Sequence, residues 1–69
     1  MNLGQQIKQK RKGKGLTQEQ LAKMVGFASK VAVYRIENGK ANPSRVSLER
    51  IADALECRIE IYLKNKTTK

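Results

Sequence analysis

The sequence contains no histidine and a single cysteine, Cys57, in 69 residues. Without histidine or a Cys-x-x-Cys pair there is no ligand set for a structural zinc ion, and a lone thiol cannot close an internal disulfide. Serines and carboxylates are present, but nothing resembles a nucleophile paired with a base, so the reading is a protein that is not an enzyme, with no metal and no cofactor. No apolar run is long enough for a membrane span or a signal peptide, which predicts a cytoplasmic protein with no membrane partner. Aromatic residues are few, only Phe27, Tyr34 and Tyr62. That scarcity argues against the stacking platforms that read single-stranded RNA. Acid is missing from the start of the chain. No Asp or Glu precedes Glu19, whereas Lys8, Lys10, Arg11, Lys12 and Lys14 all do.

What is present is a strong positive balance, with 15 Lys and Arg against 6 Asp and Glu, for a formal net charge of +9. Such a balance favours a polyanionic partner. Nucleic acid is favoured over a membrane surface, because no helix pairs a wide apolar face with a basic one. The run from Lys8 to Lys14 reads as a solvated flank with general attraction for DNA. The length allows one small domain and no second core.

The chain is organised around the stretch from Leu16 to Gly39. Thr17 followed by Gln20 is a capping box, in which hydroxyl and amide each satisfy one of the free N–H groups at a helix start. Leu21, Ala22 and Val25 continue at helical spacing as one apolar stripe. Gly26 ends that helix, since glycine adopts the left-handed C-terminal conformation without strain. Ser29 is the candidate N-cap of a second helix, with Val33 and Ile36 inside, closed by Gly39. Two short helices on so brief a connection cross steeply, which is the helix-turn-helix geometry.

The flanks are read around that unit. Leu3 to Lys12 is a helical candidate with a thin inner face of Leu3, Ile7 and Lys10 or Arg11, which must lean on other helices to persist. Gly13-Lys14-Gly15 breaks it, and Lys40 to Ser44 is a loop. Ser47 is the expected cap of a further helix from Leu48 to Glu56, with Leu48, Ile51, Ala52 and Leu55 inside. From Cys57 the pattern alternates, placing Ile59, Ile61 and Leu63 on one face of a predicted β-strand. A lone strand has an unpaired edge, so pairing with its copy in a homodimer is expected. A short terminal helix is the alternative, as Ile59 and Leu63 are also four residues apart.

Leu16-Thr17-Gln18, Leu21-Ala22, Gly26, Ile36 to Lys40, Pro43, and Leu48 with Ile51-Ala52 and Leu55 together resemble the Cro/C1-type (XRE) helix-turn-helix repressors. Combined order and spacing carry the resemblance, from about Leu3 to Leu55. It implies an all-α, lambda-repressor-like bundle of four to five short helices whose dimers bind palindromic operators in double-stranded DNA. On this reading residues 1–56 are the DNA-binding domain, 57–64 the dimerising strand and 65–69 a polar tail. The strand departs from the family's fifth helix and is similar to HipB-type antitoxins, which implies a possible toxin kinase as partner. The connection Gly26-Phe27-Ala28-Ser29 is one residue longer than usual, which leaves the start of the second helix open by one position.

Roles follow from the resemblance. Arg11 and Glu37 match a partly buried ion pair between the first helix and the end of the recognition helix. Gln18 matches a phosphate-contacting glutamine. Ser29, Lys30, Val31, Tyr34 and Arg35 match the outward face of the recognition helix. There Lys30 or Arg35 can donate to guanine and Val31 or Ala32 can meet a thymine methyl. Asn38, Lys40 and Asn42, with Arg45, match the loop that approaches the DNA backbone. Val31 also suits a core position, and Tyr34 and Arg35 also suit covering neighbouring helices or pairing with Glu37. The expected function is a dimeric, sequence-specific transcriptional regulator, most simply an autorepressor. The alternatives are an antitoxin that also binds its toxin, and a protein-interaction module without site preference on DNA.

Overall fold

The computed structural model describes residues 2–56. Four helices occupy them: α1 (Leu3–Gly13), α2 (Gln18–Val25), α3 (Lys30–Glu37) and α4 (Arg45–Leu55), and among the described residues there is no strand. Ile59, Ile61 and Leu63, on which the dimerising strand was predicted, lie outside the described residues.

Side chains that satisfy free backbone groups set where each helix starts. Thr17 Oγ1 accepts from the Gln20 N–H at 3.0 Å while Gln20 Oε1 accepts from the Thr17 N–H at 2.8 Å. The same reciprocal pair opens α1, with Asn2 Oδ1 accepting from the Gln5 N–H at 2.9 Å. Gly26 closes α2 at φ +82°, and the next N–H, of Phe27, donates back to Ala22 O at 2.9 Å. This left-handed ending is the conformation that glycine adopts without a Cβ penalty. Ser29 caps α3 by accepting from the Val31 N–H at 3.3 Å, so the longer connection still delivers a helix that starts at Lys30.

The start of α4 differs from the sequence expectation. The helix begins at Arg45, capped by Ser44, and not at Leu48 behind Ser47. Ser44 Oγ accepts from the Ser47 N–H at 3.1 Å, which makes Ser47 the N3 residue. Arg45 and Val46 are exposed, so this extra turn contributes no apolar residue to the stripe from which the start was read. Ala52, expected inside, is only partly buried against the core.

One apolar cluster joins the helices: Ile7 from α1, Leu21, Ala22 and Val25 from α2, Val33 and Ile36 from α3, and Leu48, Ile51 and Leu55 from α4. Each large member contributes roughly 1.5–3 kcal/mol by leaving water. α2 packs on α3 and α4, while α1 lies mainly across α3. The second helix of the helix-turn-helix is therefore held from two sides.

Candidate nucleic-acid interface

Burial divides α3 along its length. Val33, Ile36 and Glu37 point inward, whereas Lys30, Val31, Tyr34 and Arg35 are exposed. Val31 is 55% exposed and Tyr34 48%, so neither is a core residue. Two large, partly apolar side chains standing in water between cations make a surface that can meet both base edges and thymine methyl groups. Arg35 is not paired with Glu37. One of its terminal N–H groups donates to Lys40 O at 3.3 Å, bracing the loop and leaving the other guanidinium donors free among the described residues.

The inward end of α3 is tied by a single carboxylate. Arg11 Nε donates to Glu37 Oε2 at 2.7 Å and Arg11 Nη2 to Glu37 Oε1 at 3.2 Å. The third arm, Arg11 Nη1, donates to Leu16 O at 2.7 Å. Gln18 Nε2 also donates to Glu37 Oε1, at 3.1 Å. The Glu37 side chain is fully buried and that of Arg11 is 9% exposed. Paired and hydrogen-bonded on all sides, the charges meet the condition for being tolerated away from water. Among the described residues no buried side-chain polar atom lacks a partner. α1, α2 and α3 thus converge on one group. Gln18, half-buried at the first position of α2, keeps one N–H and its carbonyl oxygen for an outside partner.

The remaining residues of the expected surface flank α3. Asn38 follows the helix and is exposed, with its amide Nδ2 donating to Tyr34 O at 2.8 Å. Lys40 and Asn42 are exposed in the loop, and Arg45 opens α4 with an exposed contact to Glu49 at 3.5 Å. Ser29 is exposed and engaged as the cap. No acidic side chain lies on the outward face of α3, because its one acid, Glu37, is buried. A cleft of about 410 Å³ runs between α3 and the start of α4, with Val31, Arg35, Asn42 and Ser44 among its walls.

Lys14 donates to Glu56 at 2.9 Å across the surface, and this hydrogen bond, with the lysine charge behind it, lowers the Glu56 pKa from its ordinary value. No group of His, Cys, Asp and Glu that could hold a metal ion occurs among the described residues, and no described helix is long and apolar enough to cross a membrane. Two features escaped the sequence reading. Asn2 with Gln5 was visible as an Asn-x-x-Gln capping box. Gly4, buried with Ile7 and Arg11 on the inner face of α1, was visible only as a small residue at helical spacing from them.

Comparison with known proteins agrees with this arrangement. A family model described as helix-turn-helix matches residues 7–62. The HTH-type transcriptional activator BcrR of Enterococcus faecalis is 35% identical over 66 residues, covering 96% of this chain and 32% of BcrR. The chain therefore spans about a third of that relative's length. Among solved structures, the P22 c2 repressor in complex with a synthetic operator has a TM-score of 0.82 at 32% identity, covering 87% of this chain and 89% of that one. SinR, the master regulator for biofilm formation, solved in complex with DNA, has a TM-score of 0.76 at 38% identity, covering 90% of this chain and 98% of its own. With its capped helix pair, its buried Glu37 clasp and these relatives, the chain belongs to the Cro/C1-type (XRE) helix-turn-helix family of DNA-binding regulators.

Proposed function

We propose that this chain is a sequence-specific transcriptional regulator that binds double-stranded DNA as a homodimer, with α3 of each protomer in the major groove of a palindromic operator. The observation that carries this reading is the outward face of α3, where Lys30, Val31, Tyr34 and Arg35 are exposed and the helix itself presents no acid. Lys30 and Arg35 supply donors for guanine O6 and N7, and Val31 supplies an apolar contact for a thymine methyl. Gln18, Ser29, Asn38, Lys40, Asn42 and Arg45 surround that face and suit phosphate contacts, which fix orientation without reading sequence. Occupancy of a promoter is the simplest way for such a domain to regulate, and it gives repression.

The test is a nuclease footprint of the purified protein on the DNA upstream of its own coding sequence, with random DNA as competitor. Two protected half-sites about one helical turn (~34 Å) apart are expected. Affinity should fall steeply with salt as counterions are released from contacted phosphates. Protection that is absent at low salt, or affinity that is flat with salt, would overturn the reading.

A further inference from the structure

Gly4 sits in the first turn of α1, against the last turn of the recognition helix. A Cβ built on it meets Ile36 O at 2.6 Å, Glu37 O at 2.6 Å and Glu37 C at 2.9 Å. All three are backbone atoms, so no side-chain rotation can make room. Gly4, Ile7 and Arg11 recur at helical spacing on one buried face. Ile7 fills the core between two contacts with the same helix end: Gly4 on the carbonyls of Ile36 and Glu37, and Arg11 on the Glu37 carboxylate. The positive, N-terminal end of α1 thereby lies on the negative, C-terminal end of α3, a favourable alignment of helix dipoles.

We infer that Gly4 is a positioning residue for sequence recognition, whose missing side chain lets α1 seat α3 at the angle from which its outward residues reach base edges. The inference rests on the DNA-binding reading above. A carbon–oxygen contact needs about 3.3 Å or more, so an alanine at this position pushes α3 away by about 0.7 Å from the 2.6 Å approach. A displacement of that size carries a hydrogen bond from about 2.9 Å to about 3.6 Å, beyond its useful range. Base contacts depend on that geometry, whereas attraction to phosphates falls off slowly with distance. Specific binding should therefore suffer more than general binding.

The experiment uses the full chain and a duplex selected by the wild-type protein from a random-sequence pool, with poly(dI-dC) as the general probe. Affinities for both are measured for wild type, Gly4→Ala, Gly13→Ala and Leu55→Ala at a temperature where each is folded. Gly13 lies in the same helix with nothing within 4 Å of its Cβ position, so it tests a glycine-to-alanine change without the contact. Leu55→Ala is a buried truncation at the far end of α4 that lowers stability without changing any residue of α1 or α3. The expected result for Gly4→Ala is a ratio of selected to general affinity lower by about fivefold or more, the discrimination of one base contact. Gly13→Ala and Leu55→Ala should keep the wild-type ratio. An unchanged ratio for Gly4→Ala, or an equal fall for Leu55→Ala, overturns the inference. Failure of the wild-type protein to select any sequence overturns the functional reading instead. If Gly4→Ala alone does not fold, the Gly4→Ala/Gly13→Ala double variant is measured, since Gly13→Ala raises helix propensity. A double variant that is also unfolded makes Gly4 a folding residue and overturns the positioning role.

Discussion

Replacing Glu37 with leucine while keeping Arg11 should be among the most damaging single changes in the chain. The substitution removes the acceptor of three hydrogen bonds, two from Arg11 and one from Gln18. It leaves a guanidinium on a residue only 7% exposed, with Leu16 O as its remaining partner. Stranding one partner of a buried pair costs about 3–5 kcal/mol. A domain of this size has roughly 3–10 kcal/mol of stability in total, at ~0.05–0.15 kcal/mol per residue. The single variant should thus unfold at a temperature lower by at least about 12 °C, at ~4 °C per kcal/mol. Arg11→Met alone should be comparably harmful, because it leaves a buried carboxylate with only Gln18. The double variant Arg11→Met/Glu37→Leu should recover most of the loss, since buried pairs replaced by apolar residues are often neutral. Urea unfolding followed by circular dichroism, over the wild type and all three variants, gives the coupling energy. A coupling below about 1 kcal/mol would place the pair with ordinary surface bridges and refute the role given to it.

Other outcomes test other parts of the molecule. Lys30→Ala should weaken selected DNA by about 1–3 kcal/mol more than random DNA, whereas Lys40→Ala should weaken both alike and reduce the salt slope by about 1; reversed behaviour in a binding titration would exchange their roles. Thr17→Ala should lower stability by about 1 kcal/mol through loss of the capping bond at α2, read by thermal denaturation, and no change would mean that the Gln20 N–H finds another acceptor. The Lys14–Glu56 contact should show itself in pH dependence: the Glu56 pKa is lowered in the folded state from its ordinary 4.5, so the contribution is present above that value and lost as pH falls through the folded value. Lys14→Ala should accordingly be less stable than wild type near neutrality and converge with it in acid; a constant gap would exclude the pairing as its source.

The parts legible in the sequence were those marked by local chemistry. Thr17 with Gln20, Gly26 and Ser29 located the helix-turn-helix, because caps and left-handed turns depend on residues only a few positions apart. Val33, Ile36, Leu48, Ile51 and Leu55 declared the core by spacing alone. The apolar period places the start of α4 three residues late, at Leu48 behind Ser47, because Ser44 and Ser47 both satisfy the cap pattern. The turn between them, Arg45 and Val46, faces water and adds nothing to the apolar period. Gly4 shows the harder limit. Within α1 a glycine only weakens the helix, and its use appears when Ile36 and Glu37, more than thirty residues away, come to rest against it.

The division of α3 into a tethered inner edge and an outer edge has a consequence for how such proteins diversify. The Lys30, Val31 and Tyr34 side chains form no hydrogen bond or ion pair with any described residue, and all three are exposed. Changing them should alter what the protein reads at little cost to folding, since surface substitutions of this kind usually stay within about 0.5 kcal/mol. The clasp on Glu37 meanwhile keeps the frame constant. New specificities can then be sampled by exchanging a few outward residues on an unaltered chassis, and a panel of regulators with separate operators becomes a matter of swapping one helix surface.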